Sequence, residues 1–120
     1  MDDINKIIQR MERLQAQRRL LTADIEKRRE SDGAEVIADL EGMLRTCERS
    51  LRHTEKKAEN VLKRIRDPKL HNVLKARIYM KLTWEEVAEH IDCDVRTIYR
   101  LKKKAEAEFN RLLSLMGNIL

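Results

Sequence analysis

Apolar residues recur along the first third of the chain as Ile4, Ile7, Met11, Leu14, Leu21 and Ile25. The steps alternate between three and four, which is a heptad seam interrupted at Arg18. The pattern stops at "RRESDGAE", where Gly33 breaks the helix and Asp32 with Glu35 is spaced as a capping box for the next one. A second seam runs through Ile37, Leu40, Leu44, Cys47, Leu51, Thr54, Ala58, Val61 and Ile65. Two such helices joined by a few residues are expected to fold back on each other, with arms of roughly 40 Å at 1.5 Å per residue. Ile8, Leu20, Val36, Met43 and Leu62 flank the seams and widen the apolar stripe beyond what one partner helix covers.

Asp67-Pro68 changes the pattern. Asp caps a helix and Pro suits its first position, so a third helix starts here, with Leu70, Val73, Leu74, Arg77 and Ile78 on one stripe. Thr83 with Glu86 marks a fourth start, followed by Trp84, Val87, Ala88 and Ile91 as a core face. After a polar break at Asp92-Cys93-Asp94 a last helix is expected to bury Ile98, Leu101, Ala105, Phe109 and Leu112. The fold class is therefore all-α: an antiparallel coiled-coil hairpin over residues 1–66, then a compact three-helix unit with a helix-turn-helix over 67–120.

Composition agrees with helix throughout. The 120 residues include three glycines, one proline and four aromatics, and 39% are charged. The formal charge of +5 says less than its location. Arg96, Arg100, Lys102, Lys103 and Lys104 follow the break with no acid until Glu106. A short capped helix, a three-residue turn and a basic helix form the pattern that enters the DNA major groove. Arg96 and Arg100, four apart, suit bidentate contacts to guanine or phosphate. Val95 and Thr97 suit a thymine methyl or a phosphate, and Lys102, Lys103 and Lys104 suit the DNA backbone. Tyr99 is either a hydroxyl contact to phosphate or a packing residue.

Other chemistry is thin. Arg45, Arg49, Arg52, Lys56, Lys57, Lys63 and Arg64 are interleaved with acids, the pattern of a solvated coiled-coil face. His53, His71 and His90 lack metal-ligand spacing, and Cys47 and Cys93 occupy apolar positions with no CxxC, as small hydrophobes in a reducing compartment do. No phosphate loop, nucleophile–base pair or carboxylate pair is present, so no enzyme activity, cofactor or metal is expected. The Met1-Asp2-Asp3 opening and the lack of a long apolar run point to a soluble cytoplasmic protein without membrane association.

The stretch "IRDPKLHNVLKARIYMKLTWEEVAEHIDCDVRTIYRLKKKAEAEFNRLL" resembles sigma factor region 4, and more closely the phage late-transcription activators of the RinA and ArpU type. The matching elements are the "VL..R" helix, "LTWEEVAEHI" and "DCDVRTIYRLKKKA". The resemblance covers the C-terminal two fifths, with the hairpin similar only in kind. It implies promoter binding and activation of phage genes through contact with RNA polymerase, with Val95, Arg96, Tyr99 and Arg100 facing DNA. Asp92 stands where the turn of that family has glycine, and Asp94 where it has a Ser or Thr cap. Self-association as a homodimer is the expected role of the hairpin. The alternative reading is a small terminase-like subunit that recognises DNA for packaging.

Overall fold

The computed structural model describes residues 2–117. Five helices follow one another: α1 (Ile4–Arg28), α2 (Ala34–Leu62), α3 (Pro68–Ile78), α4 (Trp84–His90) and α5 (Val95–Met116). No strand occurs among the described residues, so the all-helical class stands. No helix among them is long and apolar enough to cross a membrane. The chain divides into two compact units, one of Ile7–Lys56 and one of the residues up to Lys6 together with those from Lys57 onward.

In the Ile7–Lys56 unit the first seam is buried at Ile7, Met11, Leu14, Leu21 and Ile25, while Arg18 is exposed. Cys47 and Leu51 are buried on α2, and Cys47 Sγ donates to the Leu14 carbonyl at 3.2 Å. Leu14 lies fourteen residues before the end of α1 and Cys47 thirteen after the start of α2. Thr54 is buried without penalty because its hydroxyl donates to the Ser50 carbonyl at 2.9 Å. Ile37, Leu40 and Leu44, in the first turns of α2, are only half-buried, as expected where a helix has one neighbour.

Two expectations for this region need correction. Asp32 is not the cap of α2: its carboxylate accepts from Arg28 Nη1 at 3.0 Å and from Ser31 Oγ at 3.0 Å, and the helix starts at Ala34 after Gly33. Of the five flanking apolar residues, Ile8 and Leu62 are buried, leaving Leu20 (72% exposed), Val36 and Met43 as the uncovered ones.

The other unit has α3, α4 and α5 packed against one another. Its buried residues include Val73, Leu74, Val87, Ala88, Ile98, Ala105, Phe109 and Leu113. It reaches back past the break at residue 67, because Ile4, Ala58, Val61, Leu62 and Ile65 are buried too and the Ile4 N–H donates to Asn110 Oδ1 at 2.8 Å. Lys57 Nζ meets Asp2 at 2.7 Å in the same unit. Ala76 joins this core unforeseen, whereas Leu70, Ile91, Leu101 and Leu112 are half-buried. Arg77 is also half-buried on α3, where its Nη1 donates to the Leu82 carbonyl at 3.3 Å.

Candidate nucleic-acid interface

Local chemistry fixes each helix start. Asp67 Oδ1 accepts from the N–H groups of Lys69 and Leu70, with Pro68 beginning α3. Thr83 and Glu86 form a complete capping box: the Glu86 N–H donates to Thr83 Oγ1 at 3.2 Å and the Thr83 N–H to Glu86 Oε1 at 3.0 Å. Asp94 Oδ1 accepts from the Thr97 N–H at 2.7 Å and so opens α5.

Between α4 and α5 the chain reverses in a Schellman arrangement. The Cys93 N–H donates to the Ala88 carbonyl at 2.9 Å and the Asp92 N–H to the Glu89 carbonyl at 3.2 Å. The pattern demands a left-handed residue at Asp92, whose φ is 54°. Asp adopts that region more readily than most residues but less readily than Gly. Replacing Asp92 with Gly should therefore stabilise the protein by about 0.5–1 kcal/mol, seen as a melting temperature a few degrees higher. A valine there should act in the opposite direction.

Four acids in this unit, Glu85, Glu86, Asp94 and Glu108, are held below the ordinary carboxylate range. The leading causes are the Tyr99 hydroxyl for Glu85, the Thr83 backbone N–H for Glu86, the Thr97 backbone N–H for Asp94 and the Arg111 guanidinium for Glu108. Because the folded values are depressed, their stabilisation is fully present above the unfolded carboxylate values, about pH 4, and fades as pH falls through the folded ones. Melting temperatures followed from neutral pH downward should stay level to about pH 5 and then drop. The double variant Glu86→Gln, Asp94→Asn should melt lower at neutral pH and show a shallower drop.

Along α5, Val95, Arg96, Tyr99, Arg100, Lys103 and Lys104 are exposed. At 100° per residue, Arg96, Arg100 and Lys103 form one ridge, with Tyr99 and Lys104 on its flanks. These exposed cations, carried by a helix fixed at its start by Asp94, are suited to an extended polyanion.

Three of the expected contact residues are otherwise engaged. Thr97 is half-buried and lines a small cavity of about 290 Å³ with Lys69, Asn72, Ile91, Cys93 and Leu101. Lys102 Nζ sits 5.6 Å from the Trp84 ring centre, 5.7 Å from that of Tyr99 and 3.9 Å from Glu106 Oε1. It bridges α4 and α5 by cation–π attraction. The exposed Tyr99 hydroxyl donates to Glu85 Oε1 at 2.5 Å, linking α5 to α4. Tyr99 is correspondingly pushed up from its usual value, mainly by that bond.

Trp84, half-exposed rather than core, and Glu85 are thus parts of this surface that the apolar pattern did not reveal. The only hint was that both head a helix facing the basic one across a three-residue turn. Among the described residues no three His, Cys, Asp or Glu side chains group to hold a metal ion. No protein-family model, curated protein or solved structure matches the chain.

Proposed function

We propose that this protein is a sequence-specific DNA-binding transcriptional regulator in which α4, the Asp92 turn and α5 form a helix-turn-helix and the start of α5 enters the major groove. The observation that carries this reading is the exposure of Arg96, Arg100, Lys103 and Lys104 on α5, immediately after the Asp94 cap. The groove of B-DNA, about 12 Å wide, admits a helix of this kind. The clasp of Trp84, Lys102, Tyr99 and Glu85 fixes the angle between the two helices, so that the Arg side chains are presented from a rigid base. The resemblance to phage late activators supports a promoter as the target, with RNA polymerase as a partner. Binding of a mixed-sequence duplex, followed by fluorescence anisotropy over a salt series, tests the reading. The logarithm of the affinity should fall linearly with the logarithm of salt, with a slope of about −0.9 per phosphate engaged. Salt-independent or absent binding contradicts it.

The α1–α2 region serves as a coiled-coil hairpin that pairs two copies, with Leu20, Val36 and Met43 as apolar residues left uncovered in one. Sedimentation at micromolar concentration should give a mass that rises towards a dimer with loading. A monomer mass at every concentration contradicts pairing and leaves that apolar surface to another protein.

A further inference from the structure

We propose that a second phosphate-binding site, which engages the backbone of duplex DNA beyond the α5 contact, lies in the cleft between the α2–α3 connection and the C-terminal half of α5. The cleft encloses about 830 Å³ and is lined by Lys63, Arg64, Arg66, Asp67, Glu108 and Arg111, with Leu70 and Leu112 at its apolar floor. Four cations face two carboxylates. Both carboxylates are already committed: Asp67 to the first N–H groups of α3, and Glu108 to Arg111 through two bonds of 2.6 and 3.1 Å. Arg64 gives one guanidinium N–H to the Asn60 carbonyl at 3.0 Å, and Lys63 stands 3.5 Å from Glu59. A guanidinium has five donors, so Arg64 retains the capacity to hold a phosphate oxygen as well. Arg66, exposed on the same wall, adds another fork. The two bonded carboxylates keep their charge, so an anion entering here meets a net excess of two cations, four against two.

A second observation ties the cleft to the proposed reading helix. Arg111 lies on the exposed ridge of α5 that carries Arg96, Arg100 and Lys103, fifteen residues further on, or about 22 Å along the axis. The ridge thus carries cations at both ends, at Arg96, Arg100 and Lys103 and again at Arg111, with Ala107 between them. A duplex running alongside α5 would cover that distance in roughly six or seven base pairs of 3.4 Å rise. A chain of phosphates fits this spacing; a single free phosphate would explain the cleft but not the ridge.

The inference rests on the DNA-binding reading, and its test separates the two. The full chain is compared with Lys63→Gln/Arg64→Gln/Arg66→Gln and with Arg96→Ala/Arg100→Ala on a mixed-sequence duplex of about 30 base pairs, over a salt series. Arg111 is left intact because it holds Glu108, and circular dichroism confirms that each variant is folded. The triple variant should lose about two to three from the salt slope, since each phosphate contact contributes about 0.9. An unchanged slope in the triple variant, with a reduced one in the Arg96/Arg100 variant, overturns the cleft and leaves the reading helix standing. Absence of duplex binding by the unmodified chain overturns both. Inorganic phosphate, titrated into the unmodified chain and followed by the amide spectra of residues 63–66, supplies the other arm. Shifts there with an unchanged duplex slope also overturn the proposal, by assigning the cleft to a free phosphate.

Discussion

Replacing Phe109 with Ala should unfold the unit that carries α3, α4 and α5, and abolish duplex binding with it. Phe109 is fully buried and heads the largest side chains of the core. Truncating such a ring costs about 3–5 kcal/mol, from lost transfer energy and the cavity left behind. A unit of this size has roughly 3–10 kcal/mol of stability in total, so one change removes much or all of it. Urea denaturation followed by far-ultraviolet circular dichroism should show the midpoint collapse or an early transition of part of the signal. Leu115→Ala, on the same helix but 64% exposed, should leave the midpoint nearly unchanged. Equal midpoints for the two variants would mean that α5 does not depend on its apolar face.

The second large effect belongs to Arg96 and Arg100. Both are exposed, so truncation should leave the fold intact and act on binding alone. Each should cost about 1–3 kcal/mol on the preferred site and relax preference at one or two base pairs. Lys103→Ala and Lys104→Ala should instead weaken all sequences alike and lower the salt slope by about one each. Lys102→Ala belongs to neither class. Its ammonium is engaged between two rings and Glu106, so its loss should loosen the α4–α5 angle and lower stability before it changes salt dependence. Competition between preferred and scrambled duplexes measures all of these. Uniform loss with full discrimination in the Arg variants would make them phosphate clamps. Base reading would then fall to Val95, the remaining exposed residue of the first turn whose side chain is not engaged elsewhere.

Periodicity and capping chemistry made most of the architecture legible. The α1 seam reads directly as burial, because alternating steps of three and four can serve only one face of a helix. The starts of α3, α4 and α5 were equally plain, since Asp67-Pro68, Thr83 with Glu86, and Asp94 each satisfy orphan N–H groups within three residues. Asp32 shows the limit of that logic: the same spacing to Glu35 was present, but Arg28 one turn earlier claimed the carboxylate. The extent of the C-terminal unit was less legible. Pro68 marks a break between helices, not the edge of a core, and the burial of Val61, Leu62 and Ile65 depends on contacts that no local pattern encodes.

The surface of α5 divides in the same way. Helical spacing placed Arg96, Arg100 and Lys103 outward. It could not show that Lys102 lies over Trp84, or that Tyr99 reaches Glu85 fourteen residues away, since both depend on the angle at which the Asp92 turn sets the helices. The acids around Lys63 and Arg64 made that segment resemble a solvated face. Only the folded chain shows Asp67 and Glu108 spent on a helix cap and an ion pair.

We propose that the exposed first turns of α5 read DNA sequence. The most direct test is selection of bound duplexes from a fully randomised pool by the purified full chain, beside its Arg96→Ala variant. One enriched short motif is expected for the unmodified protein and the same motif, degenerate at one or two positions, for the variant. Recovery of duplexes without any motif, or an identical motif from both proteins, would contradict it.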